Sequence, residues 1–499
     1  NVQLDQLSEL QKQRASKPTT MAGLTSRLQQ LGEQWRDEHK EVNENTGKVK
    51  VPRVSSRAVA DILEKECHFA NIGDTSKSQL FIYDVAEGLY IKDKRLINRL
   101  ILSVERNLNM RQCRDAYFYL ETDSKRSNLS DRKELIIVNN GVFNKNTNKL
   151  EPFTPDHVFI SKISTNYNPD AKEPTIHGWR FSKWVTELSD GQRDKETLIW
   201  QMIASAVNAN YSPETAFFLI DDGRGHTGKG TLQQILINLV GEQNCASLKL
   251  KEFDERFKLA TIFGKALVIG DDNDPNSYVD SVANFKSVTT GDVVSVESKG
   301  VDALSIRMTP TIIQSMNGAP KFKDITGGFK RRLRAIKMLH QYDTSNVNRD
   351  IKDKYIYDKR VLEYILFKAL QIDLDTIIET TESNQTIYEI ALDNDSILDF
   401  FESEVVELSS TRLPITYLFN LFRCWCDINN SPTKIKQRTF TTRLIPIMEK
   451  AGWQYNKKDL KPLEGFHSID LDRLKHMDKD GRYMIIINEH DRQGLFSKE

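Results

Sequence analysis

The pattern of apolar and polar positions divides the chain into stretches of different character. Residues 1–50 are mostly polar, and apolar positions at helical spacing in Leu24–Trp35 predict one helix followed by a linker. We expect a polar helical arm there. In residues 51–175, short runs typical of β-strands alternate with an amphipathic helical pattern at Leu96–Leu108. This alternation predicts a small α+β domain.

Residues 176–392 alternate helical and strand patterns, which is typical of an α/β domain. Two helices are predicted within Trp179–Ala209. Apolar runs predict strands at Ala216–Ile220, Ala266–Ile269, Val293–Val296 and Thr311–Gln314. A helical region follows at residues 353–378, and the acidic residues 379–395 predict a linker.

Residues 393–499 form a further unit with a basic segment. Helices are predicted near Ile397–Leu408, Ile415–Ile428 and Gln437–Lys450, and a strand at Tyr483–Ile487. The basic residues on or just before the third helix are Lys434, Lys436, Arg438 and Arg443. Such a helix, followed by Gly-Trp and a strand, is typical of a winged helix that meets DNA phosphates and the major groove. A solvated basic helix is the alternative.

Composition indicates a globular chain and narrows the choice of partners. Of the 499 residues, 39% are hydrophobic and 28% charged, which argues against a disordered or membrane-embedded protein. No apolar run approaches the roughly 18 residues that a membrane span needs, so we expect no membrane partner. The 70 basic and 70 acidic residues cancel, so any nucleic-acid binding must come from local patches.

Five cysteines are scattered along the chain without a disulfide pattern. This usage is typical of a reducing compartment, so we expect the cytoplasm. Cys424 and Cys426 suggest metal by their spacing, but no second Cys/His pair stands at the distance of a zinc site. Structural thiols are therefore favoured.

The strongest candidate site is the segment DGRGHTGKGT, residues 222–231, between a predicted strand and a predicted helix. In a phosphate-binding loop, backbone N–H groups and a helix N-terminus point at phosphate, and a lysine adds positive charge. The residues in these positions are Gly223, Gly225, Gly228, Lys229, Gly230 and Thr231. Gly230 replaces the usual Ser or Thr. Either Thr231 holds Mg²⁺ after a small local shift, or the segment is a chance glycine-rich turn.

Polar residues end two later strands. Asp271 and Asp272 follow the strand Ala266–Ile269, where acids can hold Mg²⁺ and activate water. Asn317 ends the strand that begins at Thr311, where an amide can orient the attacking water. Singly, such residues are also common in turns. Their order after the glycine loop favours a nucleotide site.

The segment Lys330–Arg334, KRRLR, is a basic cluster. Local charge leaves three interpretations open: a solvated face, a nucleic-acid patch, or an arginine that reaches the nucleotide of a neighbouring subunit.

Five segments in order, GRGHTGKGT, VIGDD, TTGDVVSVESKG, QSMNGAPKFKD and GGFKRRL, resemble the superfamily 3 helicases, in the branch of the poxvirus and phage-plasmid primase-helicases. Members of that branch often have a GKGT-type loop. The upstream sequence NNGVFNKNTNKLEPFTPDHVFISKISTNYNPDA is similar to the domain that precedes the helicase there. The resemblance covers residues 75–340 and is greatest to replication initiators of staphylococcal pathogenicity islands. It implies a P-loop AAA+ core, an N-terminal α+β oligomerisation domain and a C-terminal winged helix.

The resemblance assigns roles to the candidates around the loop. Lys229 and Thr231 would bind phosphate and Mg²⁺, and Asp271 would also hold the ion. Asp272 would activate water, and Asn317 would be the sensor of the γ-phosphate.

Three further residues receive roles in the same way. Arg332 best matches the arginine finger, with Arg331 as the fallback. Lys299 lies in a segment that matches the β-hairpin of the central channel, where it would contact the DNA backbone.

The function implied by the resemblance is ATP-driven unwinding of DNA by a homohexameric ring with Mg²⁺ as cofactor. Translocation would run 3′ to 5′ on one strand, after the C-terminal winged helix has bound a replication origin. Host replication proteins would be further partners, in the cytoplasm of a bacterial host cell. Two alternatives stay open: a DNA-binding ATPase switch that does not translocate, and the helicase half of a primase-helicase.

Overall fold

The structure is a computed structural model. It describes residues 18–42, 47–73, 78–274, 278–279, 281–298, 301–318, 320–322, 327–342, 348–429, 433–459, 464–485 and 493–498. These residues form two compact units. One comprises residues up to 318 together with 331–384, and the other comprises 319–330 together with 385–499.

The N-terminal part of the first unit mixes helices with two small sheets. Its elements are α1 (Met21–Glu38), β1 (Glu41–Val42), β2 (Val49–Lys50), α2 (Ser56–Glu66), β3 (Phe69–Ile72), β4 (Gln79–Asp84), β5 (Leu89–Ile91), α3 (Lys94–Val104), α4 (Met110–Asp123), β6 (Arg126–Ser127), β7 (Leu135–Val138), β8 (Gly141–Asn144) and β9 (Lys149–Glu151). The sheet orders are β5-β4-β3-β6 and β7-β8-β9, with β1 and β2 as a separate pair.

Helix α1 is part of the N-terminal core and not the polar arm that its composition predicts. Leu24 and Leu28 are buried in one apolar cluster with residues of α2, α3 and α4. Near the end of α1, Arg36 donates to the buried Glu105 at 3.1 Å. The same carboxylate accepts from the backbone N–H of Val54. The helix is therefore fixed by apolar burial and by a shared carboxylate.

The rest of the first unit is an α/β layer, as the alternation of patterns predicts. Its elements are α5 (Phe181–Leu188), α6 (Arg193–Ala206), β10 (Ala216–Ile220), α7 (Lys229–Val240), β11 (Cys245–Ser247), β12 (Leu267–Asn273), β13 (Tyr278–Val279), α8 (Ala283–Thr290), β14 (Val293–Ser298), β15 (Val301–Arg307), β16 (Thr311–Met316), β18 (Leu333–Lys337), α10 (Arg349–Asp353) and α11 (Lys359–Leu370). The intervening β17 (Lys321–Phe322) and α9 (Gly327–Lys330) belong to the second unit.

Five parallel strands form the central sheet, in the order β11-β12-β16-β10-β18. The central strands are buried on both faces: all five residues of β10 and all six of β16 are buried. This is typical of parallel sheets covered by helices. Strands β14 and β15 form a separate antiparallel hairpin in the connection between β12 and β16. The carboxyl ends of β10, β12 and β16 therefore meet at one edge, with the glycine loop directly after β10.

The acidic segment at residues 379–395, predicted as a linker, is mostly a helix, α12 (Thr381–Asn394), and the boundary between the two compact units falls within it, after residue 384. Its apolar residues Ile387, Ile390 and Ala391 are buried and follow helical spacing. Glutamate is a good helix former, and packing of the apolar face stabilises the helix, which explains why this acidic segment is helical.

The C-terminal unit continues with α13 (Ser396–Phe400), β19 (Arg412–Pro414), α14 (Ile415–Ile428), α15 (Gln437–Lys450), β20 (Gln454–Asp459), α16 (Ser468–Met477) and β21 (Gln493–Ser497). The strands form an antiparallel sheet in the order β19-β21-β20. The predicted strand at Tyr483–Ile487 is wrong for residues 483–485, which are irregular. Residues 486–487 lie outside the described part of the chain.

Candidate functional site

The glycine loop forms an open cradle at the N-terminus of α7. Gly223, Gly225 and Gly228 have φ values of +81°, +73° and +84°, which residues with a side chain rarely adopt. A Cβ atom added at Gly223, Gly225 or Gly230 would meet nothing within 4 Å. Backbone N–H groups at a helix N-terminus next to open space are suited to an anion such as phosphate.

Lys229, the first residue of α7, has its ammonium at the strand ends. Its Nζ lies 2.9 Å from Asp221 Oδ2 and donates to the Met316 carbonyl at 2.9 Å and to Asn317 Oδ1 at 2.6 Å. The lysine therefore joins the end of β10 to the end of β16. Asp221, which directly precedes the glycine-rich segment, was missed from the sequence because the loop pattern does not include it.

Asp271 and Asp272 are turned out of the sheet by a β-bulge. The register of β12 against β16 shifts between Gly270 and Asn273, and Asp272 has a φ of +51°. Ser315 donates to Asp271 Oδ1 at 2.6 Å, and the Asn317 amide donates to Asp272 Oδ1 at 3.3 Å. Both aspartates are exposed, near the carboxyl end of β12.

A buried amide network supports this bulge. The side-chain amide of Asn273 donates to the Gly270 carbonyl, to Gln314 Oε1 and to the Ser315 carbonyl at 2.9 to 3.1 Å. Gln314 is fully buried and donates to the Leu248 carbonyl. Neither amide was predicted as a site residue. A polar residue within an apolar strand was the available signal, since buried amides need partners.

Lys229, Asp272 and Asn317 are thus brought together through direct hydrogen bonds. Thr231 is the third residue of α7 and half-buried, and Gly230 before it is exposed. The hydroxyl that the usual loop carries one position earlier is therefore one residue further along the helix.

The basic cluster is not one uniform patch. Arg334 is buried and donates to the carbonyls of Ile377 and Ile378, so it has a structural role. Burial lowers the pKa of Lys330. Arg331 is exposed and Arg332 half-buried, at the turn before β18.

Arg332 lies at the opposite edge of the sheet from Lys229. Its carbonyl accepts from the N–H of Ala216, the first residue of β10. Each of the two parallel strands has five residues, and at about 3.3 Å per residue they separate this edge from the glycine loop by about 15 Å.

The candidate DNA contacts fall into separate groups. Lys299 lies outside the described residues, between the described strands β14 and β15. Lys434, Lys436 and Arg438 are exposed at the start of α15. Arg443 differs, because it forms a 3.1 Å ion pair with Asp395, the N-cap of α13. Arg443 therefore links α15 to the N-terminus of α13, which distinguishes it from Lys434, Lys436 and Arg438.

The thiols of Cys424 and Cys426 are buried in α14. Burial raises the pKa of Cys424 to about 11 and that of Cys426 to about 12. Both thiols are therefore protonated at neutral pH. Across the described ranges, no three His, Cys, Asp or Glu side chains come together as metal ligands would. Among the described helices, none combines the length and apolar content that crossing a membrane requires.

Three segments of the chain match known protein families. Residues 19–188 match the family "D5 N terminal like", residues 222–332 match a family of unknown function (DUF5906), and residues 392–476 match "Poxvirus D5 protein-like". The middle segment contains the glycine loop, Asp271, Asp272 and Asn317. The two D5 segments lie on either side of it.

Solved structures of the C-terminal region of NrS-1 are also similar. One apo structure is 13% identical, covers 80% of this chain and 95% of its own, and gives a TM-score of 0.46. Another, of residues 305–718, is 12% identical, covers 89% of this chain and 100% of its own, and gives a TM-score of 0.49. Since both D5 family models match it, one before and one after the glycine loop in sequence, the chain carries D5-like domains.

Proposed function

We propose that the chain is an ATP-dependent, ring-forming DNA helicase that initiates replication. What supports this most is the convergence of Lys229, Asp272 and Asn317 where parallel strands end beside a glycine loop. Ligands of open α/β sheets bind at the carboxyl ends of the strands. The D5-like segments support a role in DNA replication. The narrower likeness to pathogenicity-island initiators is part of the proposal.

The residues fit MgATP. Gly223, Gly225 and Gly230 border open space in which a phosphate would be bound, and Lys229 would supply the cation. Asp271 and Thr231 offer the oxygen ligands that Mg²⁺ prefers. Bound Mg²⁺ would neutralise the charge that develops on the transferred phosphoryl group.

Asp272 and Asn317 would act on the attacking water. Asp272 would accept its proton as the water oxygen bonds to the γ-phosphorus and ADP leaves. The amide of Asn317, which already bonds both Asp272 and Lys229, would orient that water. This chain's side chains would thereby align the nucleophile against the phosphate.

A site completed by a second subunit is supported by the position of Arg332. It lies at the sheet edge away from its own Lys229, where it would face a neighbour in a ring. A homohexamer with Arg332, or Arg331, supplied in trans makes hydrolysis depend on assembly. The proposal also includes a P-loop AAA+ core and 3′ to 5′ translocation on one strand.

Origin binding is assigned to the C-terminal unit. Three helices and a three-stranded antiparallel sheet, β19-β21-β20, supply the kinds of element that a winged helix needs, and α15 buries Phe440, Leu444 and Met448 on one face. Lys436 and Arg438 are exposed. We place this helix in the major groove of origin DNA, with host replication proteins joining in the bacterial cytoplasm.

The first experiment measures DNA-stimulated ATPase and unwinding of a forked duplex with a 3′ tail. Lys299→Ala should lose most unwinding and keep its basal ATPase, because the proposed role of Lys299 is to bind DNA phosphates and not the nucleotide. Lys352→Ala, on an exposed face of α10, is the matched control and should unwind normally. ATP hydrolysis without any unwinding by the unaltered chain would favour the switch that does not translocate.

A second experiment concerns the metal ligand. Thr231→Ala should lower Mg²⁺-dependent ATPase by about a hundredfold, as for loss of a group that stabilises the transition state. Gly230→Ser places a hydroxyl in open space and should restore part of the loss when combined with Thr231→Ala. Unchanged hydrolysis by Thr231→Ala would contradict the assignment.

The third experiment tests the DNA contacts of α15. Replacing Lys434, Lys436 and Arg438 together with alanine should weaken duplex binding. The slope of log K against log salt should fall by about one per residue removed. Arg443→Ala removes a charge from the same helix but breaks the Asp395 pair instead. An equal change in slope for Arg443→Ala would argue against the assigned DNA-facing surface.

A further inference from the structure

Asp221 bridges the two ends of the glycine loop. It is only 4% exposed and lies between β10 and the loop. Its Oδ1 accepts from the N–H of Gly223 at 3.0 Å, at the start of the loop. Its Oδ2 accepts from the Thr227 hydroxyl at 3.4 Å and lies 2.9 Å from Lys229 Nζ, at the end of the loop. Burying a carboxylate without partners costs free energy, so these contacts are what allow Asp221 to be buried here.

Each of the three N–H groups of the Lys229 ammonium has an acceptor close by. An ammonium group offers three N–H donors. The three acceptors here are Asp221 Oδ2, the Met316 carbonyl and Asn317 Oδ1, all within 2.9 Å. A phosphate oxygen can therefore gain a bond to this lysine only when one of the three gives it up.

The contact with Asp221 is the one that an arriving nucleotide opposes. Of the three acceptors, only the carboxylate carries a full negative charge, so it alone is repelled by phosphate while it competes for the same cation. The Met316 carbonyl and the Asn317 amide are neutral. Gly223 and Thr227 keep the carboxylate in place after the lysine leaves, because they bond it independently.

We propose that Asp221 is a positioning residue that withdraws Lys229 from the glycine loop in the nucleotide-free chain, and that phosphates bind by taking the ammonium from it. This inference rests on the proposed nucleotide site. It makes Asp221 a determinant of nucleotide affinity that touches no nucleotide atom.

The test compares neighbouring aspartates in the full chain. Asp221→Asn keeps an oxygen for the Gly223 N–H but removes the charge that holds Lys229. Asp222→Asn is the matched control, because Asp222 lies next in sequence and is exposed, with Arg224 as its partner. Binding of MgADP is measured by calorimetry for both variants and for the unaltered chain.

We expect Asp221→Asn to bind MgADP about tenfold more tightly than Asp222→Asn, the size of one hydrogen bond to a charged group. Asp221→Ala should instead weaken binding, because it also frees the Gly223 N–H and loosens the loop. Equal affinity of the two asparagine variants, or weaker binding by Asp221→Asn, overturns the proposal.

A second measurement needs no nucleotide and covers the case in which Asp221→Asn is poorly folded. Denaturant unfolding is compared for the unaltered chain, Asp221→Asn, Lys229→Met and the double variant. Asp221→Asn should lower stability when Lys229 is present and raise it in Lys229→Met, where the carboxylate would be buried without its cation. If Asp221→Asn changes the free energy of unfolding in the same direction with Lys229 and with Lys229→Met, Asp221 does not hold Lys229 and the proposal is contradicted. If the unaltered chain binds no nucleotide while this sign change is found, the proposed function fails although Asp221 does hold Lys229. If it binds nucleotide and the sign change is absent, only the proposal for Asp221 fails.

Discussion

Replacing Lys229 with alanine is expected to lower ATP hydrolysis at least about a hundredfold and to weaken nucleotide binding as well. Two effects act together. The phosphates lose the cation beside the cradle, and Asp221, buried at 4% exposure, is left as an unpaired negative charge near them. Steady-state ATPase measures the loss of hydrolysis, and MgADP calorimetry measures the loss of binding.

Arg224→Ala is the matched control for this prediction. Arg224 is a basic residue of the same loop, but it is exposed and pairs with Asp222. Its removal should leave hydrolysis within a few-fold of the unaltered chain. Lys229→Ala with near-normal ATPase would rule out the nucleotide site, whatever the fate of the DNA-binding proposals.

Arg332→Ala is expected to abolish hydrolysis almost completely, by about a thousandfold or more, while nucleotide still binds. Arg332 lies about 15 Å along the strand from the glycine loop of its own subunit, so we expect it to act on the nucleotide of a neighbouring subunit. If the arginine serves a neighbour, each subunit brings the loop of one site and the finger of the next.

Mixing inactive variants tests this arrangement directly. In a randomly mixed ring of Lys229→Ala and Arg332→Ala subunits, an intact loop meets an intact arginine at about a quarter of the interfaces. Activity near that fraction is expected from two preparations that are inactive alone. Failure of the mixture to recover activity would contradict a finger in trans. If Arg332→Ala is active alone while Arg331→Ala is inactive alone and recovers activity in the same mixture, the role belongs to Arg331.

The central site was predictable in its parts because each part follows a strand with a recognisable apolar run. Asp271, Asp272 and Asn317 were placed by this reasoning, and the parallel order β12-β16-β10 brings their strand ends together. The bulge that turns out Asp271 and Asp272 was not predictable. It depends on Gln314 of another strand, and pairing register is a tertiary property.

Other features differ in how far the local sequence indicates them. Helix α4 begins with a capping box in which Asn109 and Gln112 bond each other's backbone N–H groups, a signature readable in sequence. Helix α12 was hidden by its acidic composition. The burial of Arg334 inside the KRRLR cluster could not be read locally, because its partners are carbonyls more than 40 residues away.

The packing of Gly270 against Gln314 has a consequence for how such chains can diverge. A Cβ at position 270 would lie 1.9 Å from Gln314 Oε1. A side chain at position 270 therefore requires Gln314 to move or to be replaced by a shorter residue, and Asn273 then loses an amide partner. The three positions should therefore change together across homologous chains.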